Sequence, residues 1–141
     1  MKVRVKVPAS TANLGPGFDC LGLALKLYNT VEAEETAGGL EIQIAGEGEK
    51  SLPRGKSNLV YKMIALAFAR SGKKLRGLKI CQTNEIPTAR GLGSSSAAVI
   101  AGLVAGDMLA KARMTDRDIL DASVESEGHP DNVVPALLGG L

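Results

Sequence analysis

The sequence predicts an α+β domain, a mainly antiparallel sheet with helices on one face. Three observations carry that expectation. The opening residues MKVRVKVPAS alternate charge with valine, the period-2 pattern of a half-buried strand. Further short apolar segments bounded by Gly or Pro have the same strand character. Interleaved with them are longer runs that carry helix start and stop signals.

Taken in order, Lys2–Val7 reads as a strand stopped by Pro8. In ASTANLGPGFDCLGLAL, Asn13, Gly15, Pro16, Gly17 and Asp19 crowd together, as in a structured loop. A strand resumes at roughly Leu25–Glu35. Leu40–Gly46, with alternating Leu40, Ile42 and Ile44, then reads as its hairpin partner. Ser57 or Asn58 is placed to cap a helix through LVYKMIALAFARSG, closed by Gly72. Leu78–Thr83 is a further strand, ending before Pro87. Helix 95–111 should be buried and central, because Ala97, Ala98, Ala101, Gly102 and Ala105 permit close packing. Thr115, with Asp118 three residues on, caps the next helix. The apolar end from Leu137 to Leu141 looks like the start of another element, so the chain is expected to be the first part of a longer protein.

Composition narrows the function classes. The 141 residues suit one domain, and 17 Lys+Arg against 15 Asp+Glu leave a net charge of only +2, no strong field for nucleic acid or an anionic membrane. Aromatic residues are 3% with no Trp, too few for base stacking. Cys20 and Cys81 stand alone, without metal-ligand spacing or a disulfide framework. No run approaches the roughly 20 apolar residues of a membrane span, and the N-terminus is not a signal h-region. A cytoplasmic protein is the expectation.

The segment PTARGLGSSSAAVIAGLVAG, residues 87–106, raises the chemical question. Three hydroxyls, Ser94, Ser95 and Ser96, stand immediately before the best helical run, preceded by Gly91 and Gly93. Between a strand and a helix, glycines let the backbone approach an anion, helix N-terminal amides face it, and a serine hydroxyl suits Mg²⁺. A Walker loop is excluded because its lysine is missing. The residues alone also fit a glycine turn and a serine cap leading into an Ala-rich packing helix.

PASTANLGPGFDCLGLAL and EIPTARGLGSSSAA resemble the first two motifs of the GHMP kinase superfamily, and EGHPDNVVPALLGG resembles the stretch marking its homoserine-phosphorylating branch. The three stand in the right order along the chain. The resemblance implies the fold of the second domain of ribosomal protein S5, the cofactors ATP and Mg²⁺, and transfer of the γ-phosphoryl group to L-homoserine. Pro87, Arg90, Gly91, Leu92, Gly93, Ser94, Ser95 and Ser96 fall in its phosphate loop. Ser95 matches the metal-ligating hydroxyl, and Glu127 its carboxylate, with Glu125 as runner-up. Asn13, Asp19 and Asn132 match contacts to the amino acid, although Asn13 and Asp19 also suit Asx turns around Gly15–Gly17.

His129 and Asp131 flank that last contact. His129 beside Pro130 reads as a hydrogen-bonding residue more than a general base, since no nucleophile accompanies it. The implied scheme is direct attack by the substrate hydroxyl, with catalysis by positioning and electrostatics. Other branches, mevalonate- or sugar-type, share the loop but not EGHPDN. A non-catalytic RNA-binding module of the same fold would need a basic stripe, and SGKKLRG, residues 71–77, is the one basic cluster. The resemblance also implies a third motif and substrate-binding arginines beyond Leu141. The chain is therefore expected to be an N-terminal, ATP-binding domain with little activity alone, from a protein that is a homodimer at full length, binding neither nucleic acid nor membrane.

Overall fold

Valine at every second position from Val3 to Val7 buries one face of the first strand, while Lys2, Arg4 and Lys6 stay exposed on the other. The computed structural model describes residues 1–14 and 17–140, with side chains described for all of these except 13, 14 and 17–20. The first strand, β1, runs from Lys2–Leu14, well past Pro8. Pro8 is tolerated because β1 lies at an edge of the sheet and its register shifts between Pro8 and Ala9, so no central ladder bond is lost. The expected loop is therefore mostly strand, since β2 spans Gly17–Glu35 and pairs antiparallel with β1, Val5 opposite Val31.

The remaining strands are β3 (Gly39–Gly46) and β4 (Gly77–Asn84), and the order across the sheet is β1-β2-β4-β3. The expected hairpin of β2 with β3 does not form. β2 is already paired on both sides, by β1 and, antiparallel, by β4, so β3 goes to the far side of β4 and runs parallel to it. The short link between β2 and β3 crosses the start of β4 at Gly77. Thr36 N–H donates to Gly77 O at 3.0 Å, and a Cβ at Gly77 would lie 2.5 Å from Thr36 Oγ1. Two of the three pairings are antiparallel, as expected of the fold class.

Helix α1 (Leu59–Arg70) makes the crossover between β3 and β4, and its N-cap is Asn58, whose side chain accepts from Tyr61 N–H. The central helix α2 (Ser94–Ala110) buries eleven of its residues, nearly all round, as the small-residue pattern predicts. Gly102 lets α2 approach α1: a Cβ there would be 2.6 Å from Met63 Cβ and 2.8 Å from Val60 O. α3 (Asp116–Glu127) starts at the expected capping box, Thr115 with Asp118, and α4 (Val133–Leu138) forms within the apolar stretch at the end of the chain. The core lies between the sheet and these helices, with Ile64, Leu78, Ile80, Ile100 and Leu103 fully buried. Among the described residues no helix is long and apolar enough to cross a membrane. Cys81 is a free thiol, and Cys20 falls outside the described side chains.

Candidate active site

The loop between β4 and α2 is fastened at its root by a buried amide. Asn29 Oδ1 accepts from Glu85 N–H and Ile86 N–H, both at 2.9 Å, and so fixes the direction in which the chain leaves the sheet. The loop then turns through three left-handed residues, Ala89 (φ 55°), Gly91 and Gly93 (φ 70° each). Gly93 is the N-cap of α2, and no side chain caps that helix. The three serines are thus not caps. They form the first helical turn, and their N–H groups keep no intrahelical partner.

The hydroxyls meet one carboxylate. Ser95 Oγ donates to Glu127 Oε1 at 2.7 Å and Ser96 Oγ donates to Glu127 Oε2 at 3.1 Å. Glu127 gets there because the last turn of α3 packs against the first turn of α2, ended by Gly128 in a left-handed C-cap. Glu125 points elsewhere: its exposed carboxylate lies 3.8 Å from the Arg70 guanidinium.

These groups line a cavity of about 250 Å³ with Pro87, Arg90, Gly91, Leu92, Gly93, Ser94, His129 and Asn132. Asn132 is held by Ser10, whose Oγ lies 3.0 Å from its Oδ1. His129 Nδ1 bonds Asp131 Oδ1, and the same carboxylate oxygen accepts from Asn132 N–H at 3.1 Å, so the histidine is oriented by a nearly buried aspartate. Asn13 and Asp19, the two remaining expected contacts, have side chains outside those described.

A second cavity of about 300 Å³ adjoins the first, sharing Ala89, Ser94 and Ser95, with Val31, Leu59, Val60, Ala97, Ala98 and Ala101 among its walls. Four amides line it: Asn29, Asn58, Gln82 and Asn84. Their orientations are set by backbone partners. Asn58 Oδ1 accepts from Tyr61 N–H and Asn58 Nδ2 donates to Pro53 O, so the atom of Gln82 that meets Asn58 Oδ1 at 3.0 Å must be its Nε2. Asn84 Nδ2 donates to Glu47 O. Gln82 and Asn84 therefore turn their carbonyl oxygens away from these bonds.

Sequence reasoning missed Ser10, Asn29, Gln82 and Asn84, and read Asn58 only as a helix cap. Apolar strand patterning hides an inward-facing amide, and only the pairing of Asn29 with Asn84 brings two such residues together.

Residues 58–140 match the family model described as GHMP kinases N terminal domain. The homoserine kinase of Streptomyces coelicolor is 52% identical over 142 residues, covering 99% of this chain and 46% of that protein. The homoserine kinase of Corynebacterium aurimucosum is 50% identical over 138 residues, covering 98% and 45%. Among solved structures, the homoserine kinase of Cytophaga hutchinsonii superposes with a TM-score of 0.84 at 32% identity, covering 99% of this chain and 47% of that one. The chain spans about half the length of these relatives. With the glycine-serine loop and the carboxylate facing it both inside the matched span, this chain belongs to the GHMP kinases.

Proposed function

We propose that this chain supplies the nucleotide-binding part of an ATP-dependent kinase that converts L-homoserine into O-phospho-L-homoserine. The observation that carries the reading is Glu127 closing on Ser95 and Ser96 at the uncapped N-terminus of α2. Amides without intrahelical partners, a positive helix end and glycines with φ near +70° suit an anion as large as a triphosphate. Arg90, exposed at the cavity rim, adds a cation that phosphate oxygens favour. The adjoining cavity has apolar walls for a flat base and fixed amides for its polar edge.

The donor set fits Mg²⁺. A hydroxyl and a carboxylate are hard oxygen ligands, and an ion held by the two takes its other oxygens from phosphates and water. Ser95 and Glu127 would hold it, and the ion when bound neutralises charge on the phosphates. The chain's own part is placement. The amides of the first α2 turn and Arg90 orient the phosphates, and Asn132 offers its amide to the alcohol. Asn13 and Asp19 would bind the amino acid's polar groups, a carboxylate pairing with its ammonium. Direct attack by the hydroxyl through a loose transition state rests on this placement and requires no base.

The close relation to homoserine kinases of three bacteria favours homoserine over other alcohols. On the same reading the product serves threonine synthesis in the cytoplasm, and the full-length protein is a homodimer. ADP release with homoserine, mevalonate and galactose, measured on a protein of the relatives' full length, tests the substrate. Turnover of another alcohol with none of homoserine rejects it.

A further inference from the structure

Three segments far apart in the sequence converge on Ser10, which is completely buried. Its N–H donates to Leu92 O at 3.0 Å, which the outer side of an edge strand allows. Its Oγ lies 3.0 Å from Asn132 Oδ1 and 3.2 Å from Asn132 O. Gly93 packs so closely over it that a Cβ would land on Ser10 Oγ. One residue of β1 thus touches the phosphate loop through its backbone and Asn132 through its side chain.

A hydroxyl buried in this way is costly unless bonded, and it has a single proton for the two oxygens of Asn132. It is therefore bonded to the Asn132 carboxamide and backbone together, and fixes the side chain of a residue that lines the cavity. Ser10 is not among the residues lining the cavity, so it does not touch a ligand bound there.

We infer that Ser10 is a positioning residue. It locks the side chain of Asn132 to the backbone of the phosphate loop at Leu92–Gly93, so that the alcohol side and the nucleotide side of the site move as one unit. The catalytic consequence rests on the kinase reading above, whereas the structural link does not.

Two measurements separate them. The first uses the 141-residue chain labelled with ¹⁵N, the Asn132 side-chain amide pair being identified by its loss in Asn132→Ala. In Ser10→Ala that pair is expected to move toward the position of a free asparagine amide and to exchange faster with water. An unmoved pair overturns the inference, whatever the protein catalyses.

The second uses the full-length protein in a double-mutant cycle. Ser10→Ala and Asn132→Ala are each expected to reduce kcat about 10-fold or more, and the double variant to be no slower than Asn132→Ala alone. Multiplying losses, or a Ser10→Ala variant with lowered melting temperature but kcat and KM within about twofold of the parent, overturn the inference. If the unsubstituted protein phosphorylates no homoserine, the substrate reading falls, and the amide signal still decides the role of Ser10.

Discussion

At the scale of single residues, Glu127 and Glu125 lie two positions apart on one helix and have different surroundings. Glu127 takes hydrogen bonds from two serines, while Glu125 is a solvated partner of Arg70. Glu127→Gln keeps the size but replaces an acceptor oxygen with a donor, so one serine contact and the negative charge are lost. In the full-length protein it is expected to lower kcat about 10²-fold and to raise the Mg²⁺ concentration needed for half-maximal rate. Glu125→Gln should leave both within about twofold, as for an exposed ion pair. Gly93 is the second residue where the geometry decides. Its φ of +70° is strained for any other residue, and a Cβ would overlap Ser10 Oγ. Gly93→Ala is expected to cost about 2–4 kcal/mol in urea unfolding, from strain and overpacking together.

At the scale of elements, the seam between α1 and α2 sets helix propensity against packing. Alanine is the better helix former than glycine by about 1 kcal/mol. At Gly102, however, its methyl would press on Met63 and on the backbone of Val60. Gly102→Ala is therefore expected to destabilise by about 1–2 kcal/mol, read as a lower urea midpoint. A stabilised variant would show that α1 can move away.

The start of α3 gives a pH dependence. Hydrogen bonds from the Thr115 backbone and side chain hold the Asp118 carboxyl below its ordinary value of 3.8. A carboxyl lowered on folding contributes stability that is present above its unfolded value and is lost as pH falls through the folded one. Asp118→Asn should thus melt at a lower temperature than the parent near neutral pH, and the difference should close below the ordinary value of 3.8. A constant difference across that range would assign the effect to something other than the cap.

At the scale of the whole molecule, the two adjoining cavities predict a linkage. A ligand that fills both binds the folded chain and not the unfolded one. At about 100 times its Kd it adds about 2.7 kcal/mol, or roughly 8 °C in Tm for a domain of this size. A non-hydrolysable ATP analogue with Mg²⁺ is expected to raise Tm of the 141-residue chain by that order, and by clearly less when EDTA removes the metal. Stabilisation by RNA with a steep salt dependence, and none by the nucleotide, would instead support an RNA-binding module.

The sequence by itself determined the parts that local chemistry specifies. Alternating valines placed β1, Asn58 and the Thr115–Asp118 pair placed two helix starts, and the small residues of α2 announced a central helix before any neighbour was known. The glycine-serine motif marked the loop, because few backbones need left-handed turns and hydroxyls together. What tertiary structure alone decided was pairing. The short link after Glu35 is what a hairpin would use, but whether β3 pairs with β2 depends on which edge is free, and β4, formed more than thirty residues later, takes it. That Glu127 and not Glu125 meets the serines depends on where the last turn of α3 meets the first turn of α2. Ser10 stayed illegible for the same reason: a buried serine is defined by its partners, and these lie 82 and 122 positions away along the chain.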